Sequence, residues 1–219
     1  EMGHVFGLND YYDYSGQCKP AGAFSMQDNN VGGHDPYSCL SLGWASAYIP
    51  KEDCEIELTP FQTSKEVILL TPEFNSYDSP FDEYILLELY TPTGLNKFDT
   101  DYAYKNAPRG VNATGIRLWH VDARLVTLDS YGRANTNKIY TRPVTDCTFM
   151  MSNTYYSYEA QGYVTPCGKD YADYNQLQLI RNSTTSSYKA SDDFKETYLF
   201  KDGSFNMSKY RKQFVKNGY

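Results

Sequence analysis

Apolar positions recur at helical spacing only in the first fifth of the chain and fall into short alternating or clustered runs afterwards, with the change near residue 49. Asp35-Pro36 has the form of a helix start, an N-capping carboxylate followed by proline at the first helical position. Tyr37, Leu40, Trp44 and Ala47 then lie on one stripe, and Ile49-Pro50 ends the pattern. Beyond it, runs rich in β-branched and aromatic residues at 55–58, 67–70, 84–90, 115–121, 124–128, 148–151, 176–180 and 198–200 predict strands separated by turns. Eight short strands predict a sandwich or jelly roll. Polar stretches between residues 128 and 147 and between 151 and 175 are expected to be surface loops or insertions. The pattern thus predicts an α+β chain, with residues 1–49 as one subdomain and residues 50–219 as an antiparallel β-sandwich domain.

The amino end has no long periodicity but carries the most specific spacing in the chain. Residues 11–33 are rich in turn formers, among them Gly16, Pro20, Gly22, Asn29, Asn30, Gly32 and Gly33, and read as a loop. Ahead of it stands Glu1-Met2-Gly3-His4-Val5-Phe6-Gly7-Leu8-Asn9-Asp10. With a histidine before Glu1 this becomes H-E-x-x-H-x-x-G-x-x-D. Imidazoles at i and i+4 project from one helix face and grip one tetrahedral ion. Gly7 in the left-handed conformation would stop the helix so that Asp10 returns to the same ion. Asp13 is a competing ligand or supporting carboxylate, and Asp10 has the alternative of capping the next turn.

These residues resemble the metzincin zinc peptidases, and several further stretches resemble the M6 family of secreted bacterial metallopeptidases, the immune inhibitor A-type enzymes. The stretches are residues 1–14, the turn Met26-Gln27-Asp28-Asn29-Asn30 with residues 37–44, Tyr84 to Glu88, Gly115 to Asp122, and residues 199–205. The resemblance implies the carboxy-terminal part of a metzincin catalytic domain followed by a β-sandwich. It implies a zinc-dependent endopeptidase acting on protein or peptide substrates through metal-activated water. Glu1 would be the general base, the preceding histidine, His4 and Asp10 the zinc ligands, and Met26 the apolar Met-turn floor beneath the metal. Gln27-Asp28 stands where some metzincins place a tyrosine two residues after the methionine, so no residue is assigned to stabilise an oxyanion. A chain beginning at Glu1 is expected to be inactive and to bind zinc weakly or not at all.

Composition narrows the classes further. A net charge of −7 with no basic run argues against nucleic acid or an anionic membrane as partner. No apolar stretch reaches the length of a membrane span. Twenty-two tyrosines suit an extracellular β-rich surface and lead to the expectation of a secreted monomer. Cys18, Cys39, Cys54, Cys147 and Cys167 include no C-x-x-C pair, so they define no zinc ribbon, while a disulfide or two remains open. The acidic segments 78–83 and 99–101 carry hard oxygens suited to calcium. His34 and His120 read as structural. The competing class is a non-catalytic secreted β-sandwich module binding protein or glycan, with Tyr11, Tyr12, Tyr14, Tyr155, Tyr156 and Tyr158 as stacking platforms.

Overall fold

The alternating runs around residues 84–90 and 115–121 become the centre of a sheet, because each carries apolar side chains on both faces and so must be covered twice. The computed structural model describes residues 2–14, 16, 19–71, 75, 77, 79–102, 110–128, 130, 134–144, 149–150, 152–153, 175–182 and 194–201. They form a mixed α+β structure with four short helices, α1 (Met2–Val5), α2 (Pro36–Ser41), α3 (Phe61–Ser64) and α4 (Asn96–Asp101). The strands are β1 (Ser46–Tyr48), β2 (Glu66–Leu70), β3 (Glu83–Tyr90), β4 (Gly115–Asp122), β5 (Leu125–Leu128), β6 (Ala134–Tyr140), β7 (Phe149–Met150) and β8 (Leu177–Ile180). Five of them make one sheet in the order β1-β2-β3-β4-β8, antiparallel except for the β1–β2 pair. A three-stranded antiparallel sheet, β6-β5-β7, starts where the chain leaves β4 through Ala123-Arg124.

Strands β3 and β4 are in register from Glu83↔Asp122 to Tyr90↔Gly115. One face presents Tyr84, Leu86, Tyr90, Trp119 and Val121 with Leu177 and Leu179 of β8, and against it packs the amino-terminal segment through Tyr11, Ala21, Phe24, Tyr37 and Cys39. The opposite face collects Ile85, Leu118, Ile180 and Phe200. Residues before and after position 49 therefore share one hydrophobic cluster, and β1, from the earlier part, pairs with β2 from the later. Buried charges on these strands are matched: Glu88 accepts from Arg117 Nε and Trp119 Nε1, each at 2.8 Å. Arg124 holds Asp122 through Nε at 2.9 Å and Nη2 at 2.9 Å, and lies 3.3 Å from Glu83.

Several local expectations differ from what forms. The helix starting at Pro36 stops after Ser41 and does not run to residue 47. Gly43 has φ +69°, Gly43 N–H donates to Leu40 O and Trp44 N–H to Cys39 O, the paired bonds of a glycine-terminated helix end. The freed segment becomes β1, and Trp44 is left half exposed. Residues 54–59 form no strand; only Pro60 bridges, to Leu89. The carboxy-terminal run is a 3-10 turn, Glu196–Tyr198, followed by a single bridge from Phe200 to Ile116. Part of the polar stretch expected as loop instead supplies β6. Most of the second polar stretch, Tyr155, Tyr156 and Tyr158, the family-like stretch from residue 202 on, Cys18, Cys147 and Cys167 lie outside the described residues. No helix among the described residues is long and apolar enough to cross a membrane.

Candidate metal centre

Helix α1 is one turn long and ends at a glycine, as the spacing predicts. Gly7 has φ +92°, Gly7 N–H donates to His4 O at 3.0 Å, and Leu8 N–H donates to Gly3 O at 3.1 Å. That pair of bonds reverses the chain within one residue, since a side chain at Gly7 would disfavour the conformation. The reversal carries Asp10 back to the helix: His4 Nε2 lies 3.1 Å from Asp10 Oδ1. The other carboxylate oxygen of Asp10, Oδ2, accepts from the hydroxyls of Tyr12, at 3.0 Å, and Tyr14. Two phenols thus fix the carboxylate so that its remaining oxygen faces the imidazole.

The second ring nitrogen decides what that contact means. His4 Nδ1 lies 2.8 Å from the Leu8 carbonyl oxygen, a separation that suits a hydrogen bond only when Nδ1 carries the proton. In the neutral ring Nε2 then has a lone pair, directed at a carboxylate oxygen. Two lone pairs at that distance require a cation between them, either a second ring proton or a metal. A tetrahedral zinc bound at ordinary N and O distances sets its donors about 3.3 Å apart, so the observed spacing accommodates both. The pair therefore fits two positions of a zinc site of His/carboxylate type. Among the described residues no group of three or more His, Cys, Asp or Glu is arranged to hold a metal.

The remaining expected residues divide. Glu1 lies outside the described residues. Met26 sits in the expected turn, where Asp28 N–H and Asn29 N–H both donate to Ser25 O, but its side chain is 46% exposed. Gln27, beside it, is the residue that reaches the imidazole, with its carboxamide nitrogen position 3.2 Å from His4 Nδ1. Its backbone carbonyl also accepts from Tyr11 N–H at 2.8 Å, tying the turn to the segment after Asp10. Asn153, buried, donates to the carbonyls of Tyr11 at 2.8 Å and Leu177 at 2.7 Å, anchoring that segment on the edge of β8. Neither Gln27 nor Asn153 was marked by spacing; adjacency to Met26 was the one available signal for Gln27.

The neighbourhood is aromatic and acidic. Gly7, Leu8, Tyr11, Tyr37, Leu40 and Phe81 border a cleft of ≈ 370 Å³ that begins at the loop after His4. Met2, Val5, Phe6 and Trp44 are exposed, and the rings of Phe6 and Trp44 meet edge-on with centroids 6.2 Å apart. Asp13 is buried and shares a second hollow with Asp28, whose carboxyl is pushed up to about 7, chiefly by burial. Of the suggested tyrosine platforms, Tyr11 is fully buried, and the hydroxyls of Tyr12 and Tyr14 donate to Asp10.

The other histidines and the acidic segments have their own partners. His120 is buried in β4 with Nε2 2.7 Å from Glu83 Oε1, and Asp122 pairs with Arg124. His34 packs edge-on against Trp44, and burial lowers its pKa. Asp82 accepts from Asn75 and Glu83 backbone N–H groups, each at 2.8 Å. Asp99 accepts from Val31 N–H, Gly32 N–H and the Asn30 amide. Both carboxylate oxygens of Asp82 and of Asp99 thus accept from donors of the chain itself. Cys39 is a buried thiol, raised by burial to about 12, and Cys54 is a free thiol at the surface. No protein-family model, no curated protein and no solved structure matches this chain.

Proposed function

We propose that this chain carries part of the active site of a secreted zinc-dependent endopeptidase of metzincin type, with the sheet of β1-β2-β3-β4-β8 belonging to a β-sandwich that supports it. The observation that carries this reading is the His4–Asp10 pair, presented by a glycine-terminated helix with Nε2 turned towards a carboxylate oxygen that two tyrosines orient. His4 Nε2 and Asp10 Oδ1 would hold zinc, together with a histidine at the position preceding Glu1. When bound, zinc supplies Lewis acidity that polarises a peptide carbonyl and makes water acidic enough to ionise near neutrality. Glu1 would accept the proton from that water and return it to the leaving amine. Tyr12 and Tyr14 would keep Asp10 from rotating, and the Leu8 carbonyl would hold the His4 ring. The cleft beside Leu8 and Tyr37 offers an apolar, aromatic surface to a protein or peptide substrate.

The test uses this chain and the same chain extended upstream. Zinc content and casein cleavage should appear together in the extended protein, and Glu1→Gln there should abolish cleavage while zinc is retained. Replacing His4 by Ala should remove both. A residue other than histidine before Glu1, or equal activity in the two chains, overturns the assignment.

A further inference from the structure

The cleft beside the candidate metal centre is built by two parts of the chain. Leu8, Tyr37 and Leu40 border it from the amino-terminal segment, and Phe81, Tyr84 and Ala123 from the start of β3 and the end of β4. Ala123 N–H donates to the carbonyl of Asp82, next to Phe81, at 3.0 Å, which holds the two sheet-side residues together. At ≈ 370 Å³ the cleft stands at the small end of the roughly 300–1,000 Å³ that ligand sites occupy, room for one ring-sized group and not for an extended molecule. None of the described residues bordering it is charged, so an ionic group placed there would lose its hydration without a counter-charge. Its amides are already bonded within the cleft: Asn9 Nδ2 donates to Gln176 Oε1 at 3.1 Å, and Gln176 Nε2 donates to the Tyr37 hydroxyl at 3.2 Å. Rings dominate the rest of the lining, and an aromatic guest gains from them beyond the area it buries.

We infer that this cleft is a subsite for one aromatic side chain of the substrate, Phe, Tyr or Trp, and that Phe81 and Tyr84 make the sheet a partner in choosing what is cut. The inference rests on the peptidase reading for the identity of the ring's owner, and on the cleft alone for the chemistry of the ring. Leu8 joins the two places: it borders the cleft, and its carbonyl lies 2.8 Å from His4 Nδ1. An extended peptide advances about 3.3–3.6 Å per residue, so a backbone held at the His4–Asp10 pair brings a side chain to the cleft within about two residues of the reacting bond. Ser41, exposed at the end of α2, lies on the rim, where added bulk closes the mouth without entering the core.

The first measurement needs no metal. N-acetyl-L-phenylalaninamide titrated into the 219-residue chain should shift the backbone ¹H–¹⁵N signals of Leu8, Leu40 and Phe81. N-acetyl-L-leucinamide should bind about 2- to 10-fold more weakly, and N-acetyl-L-lysinamide should leave those signals in place. Phe81→Ala should weaken phenylalaninamide binding about 2- to 10-fold, and Ser41→Trp, at the exposed rim, serves where that variant does not fold. The second measurement uses the upstream-extended protein and peptides alike except for Phe or Gly within two residues of the cleaved bond. The kcat/KM ratio should favour Phe and fall towards one in Ser41→Trp. Absence of shifts at the cleft, equal binding of the leucine amide, or a Phe preference unmoved by Ser41→Trp overturns the subsite. Phenylalaninamide bound in the cleft, with no zinc-dependent cleavage by the extended protein, would leave the aromatic site standing and sink the peptidase reading.

Discussion

Asp10 and Asp28 show how the environment decides what a carboxylate does. Asp10 keeps one oxygen for His4 because Tyr12 and Tyr14 take the other. Asp28 is withdrawn from water, and burial, reinforced by the nearby charges of Asp10 and Asp35, outweighs the bond from Ala23 N–H and the attraction of Lys19. Its pKa rises from the ordinary 3.8 to about 7, so the folded state favours the protonated acid. Stability from this group is fully present below about pH 4 and is lost as pH rises through about 7. Asp28→Asn, neutral throughout, should therefore gain stability relative to wild type as pH increases from about 5 to about 8, measured by urea unfolding at each pH. A stability difference independent of pH would show that Asp28 is ionised throughout in the fold. The proximity of His4 and Asp10 was readable from residue spacing, because His4, Gly7 and Asp10 lie within seven positions and a short helix plus a left-handed glycine needs no distant partner. The exposure of Met26 and the reach of Gln27 were not readable, since both depend on how residues 23–30 settle against a helix from the other end of the segment.

At the level of elements, the two helices of the amino-terminal segment end by the same device, glycine in the left-handed region with paired bonds back to the last turn, at Gly7 and at Gly43. The first was anticipated; the second was hidden by an apolar stripe that continued through Trp44 and Ala47. The start of α2 followed expectation, with Asp35 accepting from Ser38 N–H at 2.9 Å. Its carboxylate does more than cap, because Ser38 Oγ at 2.7 Å and Ser25 Oγ at 2.6 Å also donate to it, joining the helix to the turn that carries Gln27. Asp35→Ala should cost about 2–4 kcal/mol by chemical denaturation, the cap plus two buried hydroxyls left without their acceptor. Asp35→Asn, which keeps an acceptor, should cost distinctly less. Equal losses would locate the effect in charge instead of hydrogen bonding. Among strands, the buried central runs at β3 and β4 were legible from their apolar content, whereas β1 and β6 were not, because an exposed three-residue strand and a polar one form only when a partner ladder is offered.

For the whole molecule, the consequence of the shared core is cooperative unfolding. Tyr11, Phe24 and Tyr37 pack in one cluster with Leu86, Trp119 and Leu179, and Leu179 N–H donates to Pro20 O at 2.8 Å. Near-ultraviolet and far-ultraviolet circular dichroism should report a single coincident thermal transition, and Phe24→Ala should lower it together with the sheet signal. Two separated transitions would instead make residue 49 a boundary between independently stable domains. Periodicity and motif spacing were sufficient for the α+β class, the central strands, the turn-rich segment and the His4–Asp10 pair, since each depends on neighbours within about ten residues. The seating of that segment on the sheet, the anchoring of Tyr11 by Asn153 and the approach of Gln27 to His4 join residues up to 142 positions apart. Such contacts are selected by burial and hydrogen-bond satisfaction across the folded chain, and no local pattern encodes them.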